Sequence, residues 1–274
     1  MMCSNKLFHW NLSHPIIVSS GPLSTNTATI CNAIKHGASA VVTKTISTEN
    51  TPNHGVFHYA DTETFNMEGY SSRTVSDWLN AWHELQGLPV IANFHAPKPG
   101  EAALLAAQLE NAGVEVLELG VSCPTLGDEP ICFDINLLHE YCSYVRKTVK
   151  IPIIAKILIS MSKSFNREMI KCICDCGIDG IALSDSLPAT MFIDGTLKHG
   201  GLTGAFAKTL VMRALLDIQD FEIPKIAIGG VFNSQDVCDY LNCGATAVGI
   251  CTSVLKNGWN HFQLIIDEYT KKCK

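Results

Sequence analysis

A chain of 274 residues with a formal net charge of −6 can bury one large core, and a closed α/β barrel uses about 250 residues as a single domain. Its lysines and arginines are scattered, which excludes the basic footprint of a nucleic-acid binder and leaves small molecules as the expected partners. Residues 1–14 are polar and lack the apolar run of a secretory signal, and no segment approaches the roughly 18 apolar residues of a membrane span. A cytoplasmic protein of one domain, residues 1–274, away from membranes, is the expectation.

Short β-rich apolar runs alternate with segments of helical period, the pattern of βα units around a parallel sheet. In chain order the strands are PIIVSS from Pro15, ASAVVTK ending at Lys44, LPVIANF from Leu88, VEVLELG from Val114, IPIIAKI from Ile151, DGIALS from Asp179, IPKIAIGG from Ile223 and ATAVGIC from Ala245. The helices between them include residues 26–36, 75–86, 101–112, 135–148, 166–176, 207–218 and 234–241. Gly37, Gly113, Gly177 and Gly244 each follow a last helical turn and precede a strand, where a left-handed C′ residue belongs. Eight such units closing on themselves give a (β/α)8 TIM barrel; a doubly wound open sheet is the alternative.

The 12 cysteines sit in apolar, periodic segments rather than in a secreted framework and read as reduced, packed thiols. Cys172, Cys174 and Cys176 alternate along a helix, so their side chains diverge by roughly 200° per step and cannot meet at one ion. No metal is expected, and no cysteine run suits an iron–sulfur cluster.

Long connections, residues 45–73, 121–134 and 184–206, follow the second, fourth and sixth strands, all at carboxyl ends, where a barrel carries its chemistry. The strand ends supply Ser20 and Gly21, Lys44 and Thr45, Asn93 and His95, Ser122 and Cys123, Lys156, Asp185 and Ser186, Gly229 and Gly230, and Cys251 and Thr252. IGGVFNSQDV and VGICTSV set glycines between strand and helix on neighbouring closing units, so bare backbone amides can face one phosphate. A lysine inside IIAKILI is costly to bury unpaired, which makes Lys156 a site residue that meets a carboxylate, a ligand or solvent; the same holds for Lys44 in AVVTKTI. Cys123 follows a strand and precedes the rigid Pro124, where a thiol can serve as a proton-transferring base.

These residues, in this order, resemble the dihydroorotate dehydrogenase family and its relative, the flavin subunit of bacterial dihydropyrimidine dehydrogenase. The likeness runs from HPIIVSSGP through ASAVVTKTI, FNMEGY, ELGVSCPT, PIIAKI, GGLTGAFAK and the closing IGGV…CGATAVGICT. It implies FMN as cofactor, with Ser20, Gly21, Lys44, Thr45, Asn93 and Lys156 lining its ring and Gly201, Gly229, Gly230, Cys251 and Thr252 holding its phosphate. It implies an oxidoreductase of a CH–CH bond in a small cyclic or unsaturated substrate. Hydride passes to or from flavin N5, Cys123 moves the proton, and Lys156 stabilises the reduced ring. Substrate would meet Asn66, Glu68, Gly69, Thr125, Asp185 and Ser186. A homodimer or a separate electron-transfer subunit is the implied partner.

The pattern departs from the family where substrate binds. An N-x-S-C-P-N run is here Gly120 to Thr125, and an asparagine–serine pair after strand six is Asp185 and Ser186, so that Asn66 alone of four amides remains. Each lost amide bond costs orotate about 1 to 3 kcal/mol, and Asp185 with Glu68 makes the pocket more acidic. Three alternatives stand beside the main reading: a genuine dihydroorotate dehydrogenase of pyrimidine biosynthesis, a flavin-free lyase using Lys156 as a Schiff base, and a flavin binder without turnover.

Overall fold

The computed structural model describes residues 5–49, 51, 53–58, 60–123 and 129–272. Its centre is a closed parallel barrel of eight strands: β1 (Ile16–Val18), β2 (Val41–Val42), β3 (Val90–His95), β4 (Val116–Gly120), β5 (Ile153–Ile157), β6 (Gly180–Leu183), β7 (Lys225–Ile228) and β8 (Ala247–Ile250). Neighbours pair in sequence order, and β8 returns to β1 through Gly249 opposite Ile17. Pairing of Val41 with Val90 joins β2 to β3, so no edge is left open. All eight expected strands are present, and closure disposes of the open-sheet alternative.

The two-residue period of a strand sorts each side chain to one of two cores. Ile153, Ala155 and Ile157 of β5 face the outer helices, as do Leu117 and Leu119 of β4. Inside, Ile17, Val42, Ile91, Val116, Ile154, Ala182, Ile226 and Ala247 form one apolar layer. An antiparallel hairpin, Lys6–Leu7 with Trp10–Asn11, packs Leu7 and Phe8 under this layer and plugs the amino end. Gly180 is small because the Phe8 ring lies 3.1 Å from where its Cβ would stand. Two residues further along each strand, towards the carboxyl end, the inward positions are Ser19, Lys44, Asn93, Glu118, Lys156, Ser184, Ile228 and Gly249. The upper layer of the barrel is therefore mostly polar, and it forms the floor of the site.

The outer helices follow the expected pattern, with local shifts at their starts. Helix α1 (Thr27–Lys35) opens on a capping box between Asn26 and Thr29, and α2 (Val75–Ala81) on one between Thr74 and Asp77 before tightening into a 3-10 turn that ends at Leu85. Pro99 starts α3 (Pro99–Asn111) two residues before the expected Glu101, as proline suits the first helical position. Helix α4 (Ile135–Thr148) is capped by Asp134. Helix α5 (Lys163–Asp175) begins three residues ahead of the expected Asn166 because the Ser162 hydroxyl accepts from the Phe165 amide. Helices α6 (Ala207–Asp217) and α7 (Ser234–Asn242) complete units six and seven. The eighth unit ends in α8 (Thr252–Asn257) and α9 (Trp259–Lys272), beyond the elements expected from the sequence.

Two of the three segments expected as long loops contain strands. Asn53–His58 and Thr64–Glu68, from the second connection, pair with each other, and Leu187–Ile193 and Thr196–Thr203, from the sixth, form a hairpin. Gly201 opposite Asn66 joins the two pairs into a four-stranded antiparallel sheet. Its strands carry polar residues, glycines and a proline in place of the continuous apolar runs that mark a barrel strand, which is why they read as loop. Gly200 permits the join, since a Cβ there would lie 2.6 Å from the Asn66 carbonyl oxygen and 2.8 Å from the Phe65 ring.

The four C′ glycines all take positive φ, Gly37 at 97°, Gly113 at 94°, Gly177 at 76° and Gly244 at 92°. Around Gly244 nothing lies within 4 Å of a built Cβ, so a substitution there reads backbone strain alone. Gly244→Ala is expected to lower stability by about 1 to 2 kcal/mol, and Gly244→Asn by less, because asparagine tolerates the left-handed region. Chemical denaturation of the three proteins checks the order; an unchanged Gly244→Ala midpoint would contradict it.

Candidate active site

At the carboxyl rim the barrel opens into a cavity that, counted with the solvent in its mouth, encloses about 930 Å³ of space. Its floor is the polar layer, its roof includes Asn66, Glu68 and Thr203 of the antiparallel sheet, and one end is walled by the glycine turns after β7 and β8. Of the residues expected at the site, Ser20, Gly21, Lys44, Thr45, Asn66, Glu68, Gly69, Cys123, Lys156, Asp185, Ser186, Gly229, Gly230, Cys251 and Thr252 all line this one space. Thr125, with Pro124, lies outside the described residues. Two expected residues stand apart from the lining. Asn93 is buried in the floor, its amide donating to Glu118 at 2.6 Å, and Gly201 sits within the roof between Asn66 and Pro188.

Both lysines have found acids. The Lys156 ammonium lies 3.2 Å from Asp185 Oδ2, and the same oxygen accepts from the Ser122 hydroxyl at 2.8 Å. Asp185 Oδ1 accepts from the Ser186 amide at 2.8 Å, so the carboxylate is fixed at both oxygens. Burial works against the charge of Lys156, but Asp185 and Glu118 outweigh it and hold the ammonium above its ordinary pKa. Lys44 donates to Glu68 Oε2 at 2.9 Å, and the Glu68 amide in turn bonds the Asn66 side chain at 2.9 Å.

Two neighbours of the site, Tyr70 and Glu118, escaped the sequence reading, while His95 closes its strand at the rim as expected. Tyr70 is buried, faces the cavity and exchanges a hydrogen bond with the Cys123 thiol; burial first, and the charge of Cys123 second, drive its hydroxyl far above the usual phenol range. Its ring rests against His95 at 4.9 Å, whose Nδ1 meets the Gly120 carbonyl at 2.9 Å. Burial lowers the His95 pKa. Glu118 lies in VEVLELG in the same inward register as Lys156 in IPIIAKI, so the cost of burying a charge in an apolar strand was the signal that marked it. It is fully buried, and desolvation raises its pKa against the pull of Lys156.

The glycine end suits an anion. Gly229 and Gly230 hold φ of 107° and 68°, and a Cβ on Gly230 would stand 2.6 Å from the Lys208 amide nitrogen. Gly21 touches the Cys251 sulfur, which would lie 3.0 Å from an added Cβ. Ser253, at the first turn of α8, lines this end with a buried hydroxyl that has no hydrogen-bond partner among the described residues. Burial raises the Cys251 thiol to about 12, so it lines the wall as a neutral group.

Fold and site together define a barrel enzyme whose rim cavity gathers glycine turns, two lysine–carboxylate pairs, a thiol and an amide in one space. The sequence pattern of the dihydroorotate dehydrogenase family matches residues 2–272. The chain is similar to the protein named dihydroorotate dehydrogenase B (NAD(+)), catalytic subunit, of Methanocaldococcus jannaschii, 27% identical over 280 residues, covering 93% of this chain and 88% of the relative. The protein of the same name from Pyrococcus abyssi is 28% identical over 293 residues, 100% of this chain and 94% of that one. That of Endomicrobium trichonymphae is 31% identical over 187 residues, 65% and 60% of the two chains. The chain belongs to the dihydroorotate dehydrogenase family, flavin-dependent oxidoreductases acting on CH–CH groups. No helix among the described residues is long and apolar enough to cross a membrane.

Removing Lys156 strands Asp185 beside Glu118. Lys156→Met is expected to cost about 3 kcal/mol of stability, and the double variant Lys156→Met/Asp185→Asn to recover part of that loss. Urea unfolding of the two proteins decides it, and equal losses would show that the pair carries no coupling.

Proposed function

We propose that this chain binds FMN along the cleft and uses it to oxidise or reduce a C–C bond beside a carbonyl in a small cyclic substrate. The observation that carries the reading is the shared cavity: Cys123, Lys156 and the glycine turns after β7 and β8 all face one space. The donor set fits the cofactor. Backbone at Gly229, Gly230, Cys251 and Thr252, with the Ser253 hydroxyl that lacks a partner among the described residues, would hold the phosphate, and Ser20, Gly21, Lys44, Thr45 and Lys156 would line the ring. Bound there, FMN supplies the two-electron exchange with substrate.

The chain's own groups supply the rest. Cys123 takes a proton from the substrate carbon in the oxidative direction and returns it in the reductive one. Tyr70, hydrogen-bonded to that thiol, aims it and shields it from water. Lys156, kept protonated by Asp185 and Glu118, presents fixed positive charge where electron density accumulates, the preorganised form of stabilisation that is largest in a dry site. An ammonium held protonated is a poor nucleophile, which disfavours the Schiff-base reading. Asn66 offers its amide from the roof. The relatives' designation as catalytic subunits supports a second subunit that carries electrons between this site and a soluble carrier.

Protein purified in air is expected to carry a yellow chromophore released as FMN on denaturation and bleached by its reduced substrate under nitrogen. Cys123→Ala should keep the visible spectrum and lose at least about 100-fold in turnover. A colourless protein that takes up no added FMN would refute the cofactor assignment, and full turnover in Cys123→Ala would refute the role of the thiol.

A further inference from the structure

We infer that the substrate end of this cavity accepts an uncharged cyclic amide and discriminates against a ring bearing a carboxylate, with Glu68 and Asp185 as the residues that set the preference. The inference rests on the reading of the cavity as a redox site for a small cyclic substrate. Its own ground is a charge balance. Among the described residues that line the cavity, the side chains of fixed charge are Lys44, Glu68, Lys156 and Asp185, and they form two closed pairs at 2.9 Å and 3.2 Å.

Neither pair is loosely held. The lysine side chains are each 8% exposed, their acids 13% and 21%, so these are shielded pairs rather than solvent-averaged ones. Asp185 is pinned through Ser122 and the Ser186 amide, and Glu68 rides on a roof strand in register with Asn53. An entering carboxylate meets no unpaired cation. It must either draw a lysine off its acid, which leaves that acid buried and uncompensated, or lie beside the acid and be repelled.

An uncharged amide ring has no such difficulty. An ammonium has three donors and a carboxylate several acceptor sites, so each pair retains hydrogen-bonding capacity beyond its own contact. A ring C=O can accept from the lysine while a ring N–H donates to the acid. The Asn66 side chain lies on the same face with a further amide. Each pair thus forms a donor–acceptor edge that matches a cyclic amide and carries no net charge to attract an anion.

Uracil and orotate differ by one carboxylate and probe this directly. Calorimetric titration of the flavin-loaded protein is expected to give uracil an affinity at least tenfold above that of orotate. Glu68→Gln and Asp185→Asn are each expected to raise orotate affinity at least tenfold by freeing a lysine, so a folding defect in one leaves the other as the test. Orotate bound as tightly as uracil by the unaltered protein, binding of neither, or variants that leave the ratio unchanged would overturn the inference. A protein that holds no flavin yet keeps the preference would count against the cofactor reading alone.

Discussion

Everything at the rim follows from where the barrel interior changes from apolar to polar. A parallel barrel fills its centre with layers of inward side chains, and the lower layer here, from Ile17 to Ala247, is apolar throughout. One layer up, Lys44, Asn93, Glu118 and Lys156 occupy positions that in a purely structural barrel would be branched aliphatics. Two cations and an acid inside a closed sheet are tolerable only with partners; Glu118 takes the Asn93 amide from β3, and the lysines draw their ion-pair partners from outside the barrel strands. The partners come from the connections: Asp185 from the segment after β6 and Glu68 from the roof sheet. Neutralising the core and shaping the site are one construction, because the residues that satisfy the buried lysines are those that enclose the substrate.

That requirement explains the antiparallel sheet. Glu68 reaches Lys44 only if its strand lies across the mouth, and its strand is held there by pairing with Thr196–Thr203. Close approach of those strands depends on Gly200 beneath the Phe65 ring. The glycine turns after β7 and β8 solve the opposite problem. At that end the chain removes side chains rather than charges, so that backbone and the Ser253 hydroxyl are left facing the cavity.

Much of this was legible in the sequence, and the parts that were not share a cause. The barrel strands announced themselves by apolar runs bounded by C′ glycines, and Lys156 and Lys44 by their improbability within such runs. Glu118 carried the same signal in VEVLELG, but its shorter side chain stays in the floor, where it is less conspicuous than a lysine long enough to reach the rim. The roof strands, the hairpin under the barrel and Tyr70 depend on contacts between segments far apart in the chain. Nothing local in FNMEGY says that Tyr70 will meet Cys123 or that Asn66 will lie opposite Gly201, since both follow from how two connections fold over one mouth. The amide-to-acid exchange at Asp185 was visible as a departure from a family pattern, yet its consequence needed coordinates. Seen alone it adds negative charge; seen beside Lys156 it cancels positive charge.

The state of Glu118 fixes the sign of that balance. Lys156 stands between two carboxyls, and if both were fully ionised the floor would carry a net negative charge. Burial raises the Glu118 pKa despite the lysine and the Asn93 amide that favour its anion, whereas Asp185 is the more exposed of the two and is held by Ser122 and the Ser186 amide. Burial thus works most strongly against the anion of the deeper acid, and Asp185 is the direct ion-pair partner of Lys156 at 3.2 Å. With Glu68 answering Lys44, the cavity is close to electroneutral at its substrate end, and its recognition must rest on hydrogen-bond geometry and shape rather than on attraction of a charged group.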